Sequence, residues 1–188
     1  MKTDVKEKAF EFEYDPQDRI NAKTQQAFMI QTIRKIATVR DWDYEEATEE
    51  EAEAFFRQKH WHIETGYKTK LRKSFDTILC NGDHIKVLVY DKKVSVKDLY
   101  AESVLFHWNA EETDCKVFVI PLYSPDDGND PCLFNYSGIE FTKIDMKLHI
   151  DVYYDYDDSY DIHDHGHERY YRVVVYDAET KTFSYMEW

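Results

Sequence analysis

The sequence predicts an α+β fold in which two N-terminal helices pack on a mostly antiparallel β-sheet that ends in a C-terminal meander. Apolar residues recur at helical spacing near the N-terminus and at every second position near the C-terminus, and polar turn signals separate the strand-like runs. No internal repeat or low-complexity linker divides the chain. We therefore expect one α+β domain over residues 1–188, with a helical part at about 15–62 and a β-rich part at about 75–188.

Two helices are expected in the helical part. The first should span about 16–39, because Asp15 is a good N-cap and Pro16 suits the first helical position, where a missing N–H costs nothing. Its apolar stripe consists of Ala22, Met29, Ile30, Ile33, Ile36 and Ala37. The second should begin after Thr48, which has the residue type of an N-cap, and run to about His60.

The β-rich part opens with a predicted hairpin. An Asn-Gly turn separates Thr77–Cys80 from His84–Tyr90, and this dipeptide is a strong hairpin signal. A further turn is expected at 91–93. The most apolar run of the chain, Cys115–Tyr123, is predicted to be a central strand.

The C-terminal meander rests on the clearest alternation in the sequence. Apolar side chains occupy every second position at Ile144, Met146, Leu148, Ile150, Val152 and Tyr154. A half-buried strand has this period, so we expect these even-numbered residues to face the core. Arg169–Asp177 is predicted to be the second strand, Asp177–Lys181 a tight connection and Thr182–Trp188 the third strand.

The charge is distributed unevenly along the chain. The net charge is −14, and residues 95–188 hold 7 Lys and Arg against 20 Asp and Glu, whereas residues 1–94 hold 17 against 18. This asymmetry disfavours direct binding of nucleic acid, which requires a basic face, and favours a basic protein partner. No apolar run approaches the roughly 18 residues of a membrane span, and the N-terminus lacks a signal-peptide core, so we expect a cytoplasmic protein without membrane contact.

The acidic segment, defined as Asp151–Glu168, concentrates this charge. It holds seven carboxylates, four tyrosines and three histidines, with no Lys or Arg. Tyrosine contributes contact area while carboxylates steer a basic partner, so the segment predicts a protein-binding surface. The predicted partner-binding residues are Asp151, Tyr153, Asp155, Tyr156, Asp157, Asp158, Tyr160, Asp161, Asp164 and Glu168.

From these features the sequence predicts a small acidic binding protein, an inhibitor or decoy that mimics nucleic acid. It would occupy the basic nucleic-acid-binding surface of a nuclease, a toxin or a bacterial or phage defence component. No GxSxG, Walker or GxGxxG motif is present, and no cofactor is predicted.

Two alternatives remain open from the sequence. His163, His165 and His167 alternate, so in extended backbone they would point the same way and could bind a divalent metal in a metal-dependent enzyme. Otherwise the chain is an accessory or structural protein with no active site. The sequence does not determine an oligomeric state.

Overall fold

The computed structural model describes residues 9–40, 42, 70–93, 99–122, 133–157 and 168–187. Its helices are α1 (Pro16–Asn21) and α2 (Gln25–Val39). Its strands are β1 (Phe10–Glu11), β2 (Lys70–Ile78), β3 (His84–Lys93), β4 (Leu99–Trp108), β5 (Cys115–Pro121), β6 (Leu133–Ile144), β7 (Lys147–Asp157), β8 (Glu168–Asp177) and β9 (Thr182–Glu187). None of these helices is long and apolar enough to cross a membrane.

The strands form two antiparallel sheets, where the sequence analysis expected one. The first sheet has the order β2-β3-β4-β5-β1, and the second has the order β6-β7-β8-β9, which confirms the C-terminal meander. A single parallel bridge, Leu99 to Asn135, joins β4 to β6. The single-sheet prediction was wrong because alternation shows that one face of a strand is buried, but not which layer buries it.

The two sheets pack face to face around the main core. The first sheet contributes Val87, Leu105 and Ile120 among others, and the second contributes Ile150, Val174 and Tyr176 among others. Along one side of this sandwich β2 lies against β6, where the rings of Phe75 and Phe141 stack at 4.8 Å. Lys143 donates across the same seam to the Ile78 carbonyl at 2.9 Å. The core therefore lies between the sheets.

Helix α2 covers the opposite face of the first sheet. Its residues Phe28, Ile33 and Ile36 are buried in a second cluster with strand residues such as Phe106 and Val117. The first sheet is therefore apolar on both faces, which explains the long apolar run of β5. β5 is an interior strand, as predicted, although its outer neighbour is only the two-residue edge strand β1.

The predicted first helix is divided into α1 and α2. The Asp15 side chain accepts from the Gln17 amide at 2.9 Å and Pro16 opens α1, as predicted. Thr24 then accepts from the Ala27 amide at 3.0 Å and starts α2 with its own N-cap. The single-helix prediction missed this cap because neither Gly nor Pro marks the break. The second predicted helix, at about 48–60, lies outside the described residues.

A buried ion pair fixes the end of α2 on the first sheet. Glu102 on β4 is 4% exposed and accepts from the Arg40 guanidinium at 2.6 and 3.3 Å. The Trp42 indole N–H donates to the same carboxylate at 2.7 Å. With these donors the carboxylate is satisfied, as a buried charge requires. The ion pair orients the chain as it leaves α2.

Three strand boundaries differ from the sequence expectation. The hairpin around Asn-Gly is confirmed, but β2 already begins at Lys70, and the turn expected at 91–93 is part of β3. The alternation that starts at Ile144 crosses a tight turn at Asp145 and Met146, with a left-handed φ of 52° at Asp145. Ile144 therefore ends β6 and is exposed, so its predicted core position was wrong.

The register of β7 is confirmed over residues 148–153. Leu148, Ile150 and Val152 are each 0% exposed, whereas Asp151 is half-buried on the other face. Alternating side chains of a strand point to opposite faces, and β7 follows this rule over the confirmed stretch.

Ile150 and Ile144 both belong to the alternating apolar series, but Ile150 is buried in the core and Ile144 is exposed, so truncating each of them tests the register. We expect Ile150→Ala to lower the free energy of unfolding by about 2–5 kcal/mol, because it leaves a cavity between the sheets. Ile144→Ala is the matched control and should change it by less than about 0.5 kcal/mol. Urea denaturation measures both, and similar losses in the two variants would contradict the register of β7 described above.

Candidate functional site

The acidic segment begins within the second sheet. Residues 151–157 belong to β7, and Glu168 begins β8. The two strands pair antiparallel without a register shift, with Asp155 opposite Arg169 and Tyr156 opposite Glu168. The first and last residues of the acidic segment therefore lie on the two paired strands of a β-hairpin.

The predicted site residues fall into three groups. Asp151 and Tyr153 are described with their side chains. The structure gives strand positions for Asp155, Tyr156, Asp157 and Glu168. The remaining predicted residues lie outside the described part of the chain: Asp158, Tyr160, Asp161, Asp164, His163, His165 and His167.

Asp151 and Tyr153 lie on the outer face, defined as the face of the second sheet that points away from the first. Glu140 on β6 is directly opposite Asp151 in the register, and Gly138 is opposite Tyr153. Partial burial, together with the charges of Glu140 and Asp151, raises the pKa of Tyr153, and the neutral phenol donates a hydrogen bond to Glu140. Two carboxylates and a tyrosine thus form one surface cluster.

No local sequence pattern marks Glu140 as part of the surface cluster. Glu140 lies as many residues before the turn at Asp145 and Met146 as Asp151 lies after it. The pairing of Glu140 with Asp151 therefore follows once the position of the turn is known. The turn could not be recognised from the sequence, because the apolar alternation continues through it without a break.

The outer face changes in character from β7 to β9. Asp151 on β7 is paired with Val173 on β8, which is almost fully buried. Val173 in turn is paired with Met186 on β9, which is 40% exposed. Val175 is half-buried on the same face. An acidic, tyrosine-bearing side thus adjoins an apolar side, a combination that suits protein contact.

A buried polar cluster outside the acidic segment was also missed from the sequence. The inter-sheet triad consists of Asp83 in the β2–β3 turn, His107 on β4 and Tyr176 on β8. The His107 Nε2 atom lies 2.7 Å from the Asp83 carboxylate, and its Nδ1 atom lies 2.8 Å from the Tyr176 hydroxyl. A histidine at a core-facing position of an apolar strand was the available signal.

The environment of the triad fixes its protonation. Burial lowers the pKa of His107, and the nearby Asp83 carboxylate offsets this only in part. Burial raises the pKa of Asp83, but the hydrogen bonds from His107 and Asn81 outweigh this and bring it below its ordinary value. At neutral pH the triad is therefore a neutral imidazole between an ionised carboxylate and a phenol.

The triad does not form a reaction centre. Both ring nitrogens of His107 are engaged, and His107 and Tyr176 are 3% and 0% exposed. A general base must reach a substrate proton, and no nitrogen is left for this purpose. The triad instead links the turn and the two sheets.

Among the residues that the structure describes, no group of three or more His, Cys, Asp and Glu side chains could hold a metal ion. The three alternating histidines lie outside these residues, so the metal site stays a prediction.

Comparisons of the chain with known protein families, curated proteins and solved structures found no match. Its function is therefore inferred from the surface chemistry described above.

The pKa of Tyr153 tests the surface cluster. Glu140→Gln removes a negative charge beside the phenol, so we expect the pKa of Tyr153 to fall toward its ordinary value. Carbon-13 NMR of labelled tyrosine rings during a pH titration measures it. Glu111→Gln, an exposed change in the β4–β5 turn, is the control and should leave the pKa of Tyr153 unchanged. An unchanged value in Glu140→Gln would show that the two side chains do not interact in solution.

Proposed function

We propose that this protein is an acidic binding protein that occupies a basic, nucleic-acid-binding surface of a partner protein and acts as an inhibitor or decoy. The observation that carries the proposal is the clustering of Asp151, Tyr153 and Glu140 on the outer face, at the root of a strand pair whose acidic segment holds seven carboxylates. A nuclease, a toxin or a bacterial or phage defence component has the required basic surface.

The charge distribution supports this proposal. The C-terminal half holds 7 Lys and Arg against 20 Asp and Glu. Complementary fields raise the association rate, and they weaken as salt screens them over about 10 Å at 0.1 M ionic strength. A partner attracted in this way should associate faster at low salt.

Contact area must supply what electrostatics does not. Tyr153 is half-buried beside the acids, and Met186 and Val175 bring apolar surface to the same face. Interfaces combine aromatic and apolar contacts with a charged rim, and a few such contacts carry most of the binding energy. The outer face thus offers both steering and anchoring groups.

The proposal places the protein in the cytoplasm. Other sheet surfaces are less suitable, because both faces of the first sheet are buried in the two core clusters.

Charge reversal within the acidic segment tests the proposal. A partner is first captured from the native host with the full chain and identified by mass spectrometry. Its affinity is then measured at several salt concentrations for the wild type and for the variant Asp155→Lys, Asp157→Lys, Asp158→Lys and Asp161→Lys. We expect the variant to lose about 2–4 kcal/mol of binding free energy or more at low salt, because the loss of two close charge pairs at about 1.5 kcal/mol each already reaches this range.

A control variant separates the segment from net charge. Glu13→Lys, Glu111→Lys, Glu112→Lys and Glu179→Lys makes the same total charge change at four exposed positions elsewhere. It should retain most of the affinity. Equal losses in both variants would show that only net charge matters, and unchanged affinity in both would remove the acidic segment from the interface.

A further inference from the structure

The inter-sheet triad joins three parts of the fold at one imidazole. His107 belongs to the first sheet, Tyr176 to the second, and Asp83 to the turn that closes the β2–β3 hairpin. That turn is tightly defined, since Gly82 has a left-handed φ of 89° and a Cβ there would lie 3.1 Å from the Ala110 Cβ atom. The backbone next to Asp83 is therefore held close to the β4–β5 turn.

The triad has one consistent arrangement of hydrogens when His107 is neutral. The ionised Asp83 carboxylate can only accept, so His107 Nε2 carries the hydrogen and donates it. The Nδ1 atom then has a lone pair and accepts from the Tyr176 hydroxyl. Every polar group of the triad is satisfied in this state.

Protonation of His107 reverses the second of these hydrogen bonds. An imidazolium donates from both nitrogens, so the Tyr176 oxygen must accept and its own hydrogen must turn elsewhere. Tyr176 is 0% exposed and packs against the rings of Phe118 and Phe183, with centroids 5.4 and 4.8 Å away. Among the described residues its hydroxyl has no other hydrogen-bond partner than His107.

We propose that the inter-sheet triad is a pH-sensitive latch, which holds β8 to the first sheet while His107 is neutral and loosens it when His107 is protonated in mildly acidic conditions. The latch lies on the opposite end of β8 from the acidic segment and does not depend on the proposed function. Through it, acid would weaken the contact between the two sheets.

The charged and titratable groups around the triad agree with this direction. Burial and the Lys181 ammonium disfavour a proton on His107, whereas Asp83 attracts one, and the net effect lowers the pKa of His107. Burial raises the pKa of Tyr176, and the nearby Asp83, Asp177, Cys115 and Glu11 raise it further, so the phenol stays neutral. His107 is therefore the member of the triad whose charge changes as pH falls below neutral.

The effect on stability follows from proton linkage. The pKa of His107 is lower in the folded chain than the ordinary value of about 6.5 in the unfolded chain, so between the two values the unfolded chain binds more protons. The contribution of the latch is complete above the unfolded pKa and is lost as pH falls toward the folded pKa. Opening of β8 should rise about tenfold for each pKa unit of this difference.

Amide hydrogen exchange on the full chain tests the latch. Opening constants of β8 and β9 amides, corrected for intrinsic exchange rates, are compared at neutral and mildly acidic pH, and NMR follows the titration of His107 in the same samples. We expect β8 opening in the wild type to rise as pH falls from about 6.5 toward the pKa of His107 in the folded chain, and to level off once the folded His107 is protonated. An opening constant that stays unchanged between these two pH values would overturn the proposal.

Two variants and a control make the test specific. His107→Gln keeps a donor toward Asp83 and an acceptor toward Tyr176 but cannot be protonated, so its β8 opening should not change with pH in this range. Tyr176→Phe removes the hydroxyl that protonation disturbs, so it should open more easily at neutral pH and respond less to acid. His149→Gln removes a histidine from the outer face and should behave as the wild type. The proposal fails if the properly folded variants keep the acid response of the wild type.

Discussion

Burial of the first sheet on both faces is the constraint on which this fold depends. One face packs against α2 and the other against the second sheet, so β3, β4 and β5 have few positions for charged side chains. Their stability comes from apolar burial at about 25 cal/mol per Å². The second sheet contributes one face to the core and leaves the other open to polar residues such as Glu140 and Asp151. The layer order thus determines where the charge of this acidic chain can be placed.

The two ionisable groups buried in β4 follow from the same constraint. Glu102 and His107 are 4% and 3% exposed, and each is satisfied by partners from other parts of the chain. Glu102 holds the end of α2 on one face of the sheet, whereas His107 joins the other face to β8. A buried polar group without partners costs about 1–3 kcal/mol, so these contacts also disfavour other arrangements of the layers. We infer that β4 positions both neighbouring layers.

Local features were predicted from the sequence more accurately than the arrangement of layers. The Asp15 cap, the Asn-Gly hairpin and the register of β7 from Leu148 depend on neighbouring residues and were confirmed. The second sheet was not foreseen, because alternation is the same whatever covers the strand. Of the candidate site, Asp151 and Tyr153 were found from composition, whereas Glu140 required the hairpin register. The inter-sheet triad joins residues 24 and 69 positions apart, and no local pattern encodes such a contact.

The location of the acidic cluster also explains how the fold tolerates it. Glu140 and Asp151 are like charges on directly opposite positions, an arrangement that destabilises a strand pair by roughly 0.2–1 kcal/mol. The inner face of the same strands carries Ile139, Ile150 and Val152 in the core, and burial of such side chains contributes about 1.5–3 kcal/mol each. The core therefore outweighs the repulsion, and residues on the outer face can change without loss of the fold. A surface with this freedom can be adapted without rebuilding the core.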